Sequence, residues 1–315
     1  MNSTSHQDNK SSSIKKLKVL ALVTSITAFS LISLGGIVRV TESGLACPDW
    51  PLCHGKIIPS FELSVIIEYS HRLLALILSC LVVAVTIYVF RLPSSGHNGS
   101  LRKMILASWV LLGIQILLGG MTVLTKLRPE FIALHLATAQ AFFGVLLLLT
   151  CKVFMQDSEK SSPVTLWLAD RRLLVTLILI FLTIVSGSLV TNTGAFAACT
   201  GWPLCNGQLF PTNHLAGIHW LHRLVVLITI LSVFWLFISS RKQRLESPRQ
   251  ILITLLAIVM IVQILVGAAT IWLHFTPFWT AIHVTVSALV WGTAVINFGL
   301  VVFSPSNQEH LKGSV

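Results

Sequence analysis

Stretches of roughly 20 apolar residues recur seven or eight times along this chain, and that is the length at which a helix crosses a bilayer. Taking eight, they predict helices over about 17–38, 65–90, 103–124, 131–154, 172–191, 215–240, 250–272 and 278–302. Only 10% of the 315 residues are charged, where a soluble chain carries about 25%. The expected class is therefore an all-α integral membrane protein. The first stretch, Leu17 to Val38, is too long for a signal peptide and ends without a small-residue cleavage site.

A net charge of +11 suggests nucleic acid until its distribution is read. Lys10, Lys15, Lys16 and Lys18 precede the first span. Arg91, Arg102 and Lys103 flank the second connection, and Lys152, Lys160, Arg171 and Arg172 the fourth. Arg241, Lys242, Arg244 and Arg249 flank the sixth, and Lys312 lies in the tail. With eight crossings, 16 of the 22 basic residues fall on one side. The positive-inside rule puts that side, and both termini, in the cytoplasm. The charge reads as topology, and no nucleic-acid partner is expected. Residues 1–14 are polar and Ser/Asn-rich and are expected to be disordered, as part of a cytoplasmic tail over 1–16. A second tail covers 303–315.

The spans form two copies of one plan. Leu34-Gly35-Gly36 resembles Ser186-Gly187-Ser188. Cys47 and Cys53 precede Cys199 and Cys205 by 152 residues, with Trp-Pro-Leu-Cys in both loops. His71-Arg72 precedes His222-Arg223 by 151, and His135 precedes His283 by 148. Four spans per copy make the repeat parallel. Two four-helix bundles follow, over 17–154 and 172–302, joined by a polar cytoplasmic linker at 155–171. A transporter would instead show an inverted repeat or broken helices at mid-membrane.

Each copy sets two histidines near the outer ends of its second and fourth helices. His71 and His135 stand level in the first copy, His222 and His283 in the second. Polar side chains at such depth are costly without a partner or a ligand. Axial imidazoles on facing helices suit haem iron. The competing readings are histidines bonded to hydroxyls or water, and bare metal sites at Glu68-x-x-His71 or His219-x-x-His222. Arg72 and Arg223 follow the histidines and are candidates for haem propionates, against ordinary snorkelling. Arg39 is a further candidate, with Thr191 as its counterpart. Glu68 lies one turn before His71, whereas its counterpart is His219. A dry carboxylate there can hold or transfer a proton; otherwise it faces the outer aqueous layer. Both cysteine loops lie on the oxidising side, so Cys47–Cys53 and Cys199–Cys205 are expected as disulfides, structural or redox-active. Cys80 and Cys151 read as packing residues.

Taken together, Gly36-Ile37-Val38-Arg39 through Cys47-Pro-Asp-Trp-Pro-Leu-Cys53, Glu68-x-x-His71-Arg72, His135, His222-Arg223 and His283 resemble the haem A synthase family, over about 17–302. The paired cysteines match its bacterial branch. The resemblance implies a multi-pass bacterial membrane enzyme that oxidises a methyl group of haem O to the formyl group of haem A, for terminal oxidases. It implies haem B as cofactor between His222 and His283. It places substrate haem O between His71 and His135, with Glu68 essential. Implied partners are haem O synthase, an electron acceptor or donor, and a second copy of the chain. The main alternative is a di-haem cytochrome b exchanging electrons with quinone.

Overall fold

The computed structural model describes residues 2–92, 96–155, 171–243 and 247–303. Among these residues it is all α-helical, with eight helices long and apolar enough to cross a membrane. They are α1 Asn2–Val40, α2 Leu63–Arg91, α3 Gly96–Leu124, α4 Pro129–Phe154, α5 Arg171–Asn192, α6 His214–Lys242, α7 Ser247–Trp272 and α8 Pro277–Phe303. The expected spans agree to within a few residues, except that α3 and α7 begin earlier and α1 much earlier. Residues 2–14, expected to be disordered, continue α1. No Pro occurs in α1, and the first Gly is Gly35, so no helix breaker intervenes. The apolar span within α1 is Ser13–Val40. Most of the expected linker 155–171 and nearly all of the tail 303–315 lie outside the described residues.

Local chemistry sets the helix ends. Pro129 occupies the first turn of α4, with Glu130 beside it, where a missing N–H and a negative charge are both favourable. Asn213 caps α6 by accepting a bond from Ala216 N at 2.9 Å. α3 and α7 close identically. Lys126 and Leu127 take positive φ of 55° and 63°, and His274 and Phe275 take 53° and 56°. Leu127 N then donates to Thr122 O at 2.8 Å and Phe275 N to Thr270 O at 2.6 Å. Side chains this large rarely adopt that backbone, so its recurrence 148 residues apart shows that the repeat extends to the turns.

Packing follows the repeat. α1 lies against α2 and α4, and α3 against α4; α5 lies against α6, and α7 against α8. The halves meet through α1, α4, α5 and α8. One apolar core runs through both, with Leu146 and Leu149 from α4, Ile180 from α5 and Ala294 from α8 almost completely buried. The α1–α2 and α5–α6 connections both emerge at the end where the histidines lie, and each has its own small core. Cys47, Cys53 and Val65 form one, and Cys199, Cys205 and Ala216 the other.

Candidate functional site

Helix geometry puts the histidines level. His71 lies eight residues after the start of α2 at Leu63, and His222 eight after the start of α6 at His214. His135 lies six after Pro129 in α4, and His283 six after Pro277 in α8. At about 1.5 Å per residue the members of each pair differ in depth by only about 3 Å. His71 and His135 are near enough to interact electrostatically, as are His222 and His283.

Each ring lies over a glycine of a neighbouring helix. A Cβ added at Gly35 would lie 3.1 Å from His71 Cε1, at Gly187 3.0 Å from His222 Cε1, and at Gly267 2.9 Å from His283 Cε1. At Gly119 it would lie 3.5 Å from His135 Cε1. At the three closer approaches a methyl group would press on the ring, and at Gly267 something would have to shift. The sequence carried the signal, because Gly35 and Gly187 are 152 apart, and Gly119 and Gly267 share the 148-residue offset of the histidines they support. In the sequence Gly35 and Gly187 mark the repeat, and beyond that offset nothing there singles out Gly119 and Gly267.

The four rings line one cavity of about 1720 Å³ that extends through both halves. Pockets for one small ligand are roughly 300–1,000 Å³, so there is room for two large flat ones. Nδ1 of His71, His135 and His283 is buried without a hydrogen-bond partner in the protein, so neighbouring hydroxyls do not satisfy these three rings. Only His222 has such a bond, with Ser186 Oγ at 2.9 Å. Among the described residues no group of three or more His, Cys, Asp or Glu side chains gathers to hold a bare metal ion. A large, mostly apolar cavity lined by paired imidazoles fits a porphyrin better than a hydrated ion.

Glu68 does not face water. It is only 6% exposed, and Arg72 Nε donates to its Oε1 at 3.0 Å. The same guanidinium donates to Asp49 O at 2.7 Å, to Cys47 O at 2.8 Å and to Leu52 O. These four bonds use four of the five N–H groups of an arginine, so one remains for any propionate. Arg72 therefore ties the first loop down onto α2. Arg223 does the same in the second half, donating to Pro203 O at 3.0 Å and Cys199 O at 3.4 Å. His219, in the place of Glu68, is buried as well. Arg39 reaches across the halves, its Nε donating to Asn192 Oδ1 at 3.0 Å.

Both disulfides are present, Cys47–Cys53 and Cys199–Cys205. The two loops share further bonds that the sequence did not announce. Tyr69 OH donates to Ile57 O, and Trp220 Nε1 to Leu209 O at 2.8 Å. The side chains of His54 and Asn206 reach the carbonyls of Ala46 and Ala198 at 2.9 and 3.0 Å. Asp49 accepts from His54 N at 2.6 Å and Gly55 N at 2.7 Å. Those bonds, Gly55's first, hold its carboxyl below the usual 3.8. Trp50 packs on Gly120 of α3, so the loop reaches over the cavity mouth. Cys80 is exposed on α2, contrary to its expected packing role; Cys151 does pack, against Gly299 of α8.

Comparison with known proteins agrees with this geometry. The family model described as cytochrome oxidase assembly protein, COX15-CtaA, matches residues 18–65 and 60–295. A haem A synthase of Geobacillus thermodenitrificans is 30% identical over 240 residues, covering 74% of this chain and 75% of its own length. One from Alkalihalophilus pseudofirmus is 30% identical, covering 72% and 78%. A third, from Shouchella clausii, is 30% identical over 254 residues, covering 79% and 84%. The chain belongs to the COX15-CtaA family of cytochrome oxidase assembly proteins.

Proposed function

We propose that this chain is a bacterial haem A synthase, a membrane oxidoreductase that converts the methyl group of haem O to the formyl group of haem A. The observation that carries the proposal is the asymmetry between two otherwise matching histidine pairs. Both pairs lie level, on glycines, around one cavity, but only the first has a buried carboxylate one turn away. A site doing chemistry needs a proton-handling group, and a site passing electrons does not.

In this reading His222 and His283 hold haem B, whose iron exchanges electrons when it is bound. His71 and His135 hold the iron of the substrate, haem O. Glu68 is placed to take or return a proton at the reacting edge, with Arg72 fixing its carboxylate. Arg72 has one N–H left for a propionate; Arg223 and Arg39 have more. The two disulfide-stapled loops exclude water from above. Each half is taken as a four-helix bundle in parallel orientation, over 17–154 and 172–302. The basic residues at the opposite end support cytoplasmic termini, and the disulfides support an oxidising outer side. Haem O synthase as supplier and a separate electron partner complete the proposal.

Acid-acetone extraction of the purified protein tests it. Haem B together with haem O or haem A supports the enzyme. Two equivalents of haem B in every preparation support the electron carrier instead.

A further inference from the structure

Ser186 and Leu34 occupy equivalent places, each one residue before a glycine that supports a histidine ring. They differ in what they offer that ring. Ser186 Oγ lies 2.9 Å from His222 Nδ1, and it donates its own hydrogen to Thr183 O at 2.9 Å. A hydroxyl has a single hydrogen, so with that hydrogen on Thr183 O, Oγ accepts from the ring. His222 Nδ1 therefore carries the ring hydrogen, and Nε2 keeps its lone pair for a ligand. The ring is fixed in tautomer by Ser186 and in position by Gly187. In the first half the Leu34 side chain has no polar atom, and His71 Nδ1 is buried without a partner.

We propose that Ser186 is a positioning residue that makes the second-half pair a permanent iron site, and that Leu34 leaves the first-half pair exchangeable. The proposal rests on the placement of haem B at His222 and His283. Its physical basis is general. A partner on the far nitrogen of a ligating histidine orients the ring and raises its basicity, and losing that partner costs roughly 10–100-fold in affinity. A cofactor retained through many turnovers needs that grip. A site that must admit a substrate and release a product is hindered by it. A more basic imidazole also favours ferric over ferrous iron, so Ser186 lowers the haem B potential.

The test uses the full chain in detergent or nanodiscs, with release of haem B to excess apomyoglobin and its midpoint potential as readouts. Ser186→Ala should release haem B roughly 10–100-fold faster and raise the potential. Ser186→Thr, which keeps the hydroxyl, should restore both. Leu34→Ser should slow release of haem O from the first pair. Release at the wild-type rate in Ser186→Ala overturns the proposal. So does faster release with an unmoved potential, because loosened packing alone would do that. Haem B content in His222→Ala separates the two levels. Full retention there removes the haem B placement and this inference with it; loss there, with an unaffected Ser186→Ala, removes this inference only.

Discussion

Glu68 and Arg72 form a buried ion pair one turn apart on α2, with Nε 3.0 Å from Oε1. The pair links the candidate reaction site to the loop above it, because the same arginine holds three loop carbonyls. Glu68→Gln keeps an acceptor for Arg72 but removes the titratable proton. Haem A formation should fall more than about tenfold, since positioned acid–base groups contribute roughly 10²–10⁴ in rate. Haem B should stay bound, and haem O or a partly oxidised alcohol should accumulate. His219→Gln should be milder. The readout is the ratio of haem A to haem O at matched protein levels. Near-normal haem A in Glu68→Gln, or a greater loss in His219→Gln, would mean that the halves have the opposite roles.

Replacing His222 or His283 should empty the second pair while the protein remains in the membrane. A reduced-minus-oxidised spectrum would show the haem B band lost in both variants. Some loss of yield should accompany it, because a bound cofactor stabilises the fold that binds it. A full band in both variants contradicts the assignment.

The glycines give a graded series. Gly187→Ala and Gly267→Ala press a methyl group to 3.0 and 2.9 Å from a histidine ring, and overpacking of this kind costs about 1–3 kcal/mol. Both should lose haem B. Gly35→Ala should keep haem B and lose haem A. Gly119→Ala, at an ordinary 3.5 Å, should be close to wild type. Equal effects at all four positions would show that the rings do not depend on these supports.

Asp49 makes the first loop acid-sensitive in one direction. Its carboxyl lies below the ordinary 3.8, so its contribution to the fold is complete above that value. The contribution is lost as pH falls through the lowered one. Hydrogen exchange at the His54 and Gly55 amides should therefore show the same protection at neutral and mildly acid pH. Asp49→Asn should expose one of the two amides at every pH, because each bonds a different carboxylate oxygen and one of those oxygens becomes an N–H donor. Unchanged protection in Asp49→Asn would remove Asp49 as the organiser of the turn.

Much of this was legible in the sequence because it depends on period and spacing. The spans follow from apolar length, the repeat from constant offsets, and the disulfides from cysteines facing an oxidising side. The four histidines follow from their place near helix starts. What escaped depends on where side chains turn. Arg72 and Arg223 had two credible targets, and the structure directs both chiefly to loop carbonyls. Glu68 at a helix start had equal claim to water and to the interior, and tertiary packing decided. The contact between Ser186 and His222 needs two helices in register, which no offset along the sequence reveals.

Parallel repeats have an electrical consequence. His71 and His222 are equally far from their helix starts, as are His135 and His283, so in the proposed parallel arrangement the two pairs share one height in the bilayer. With haems held as proposed, an electron passing between them would travel sideways. A charge crossing the whole membrane exchanges about 2.3 kcal/mol per 100 mV with the potential, but sideways transfer exchanges almost none. The step between the halves should run at one speed in energised and de-energised cells alike, leaving voltage to act only where electrons or protons enter and leave.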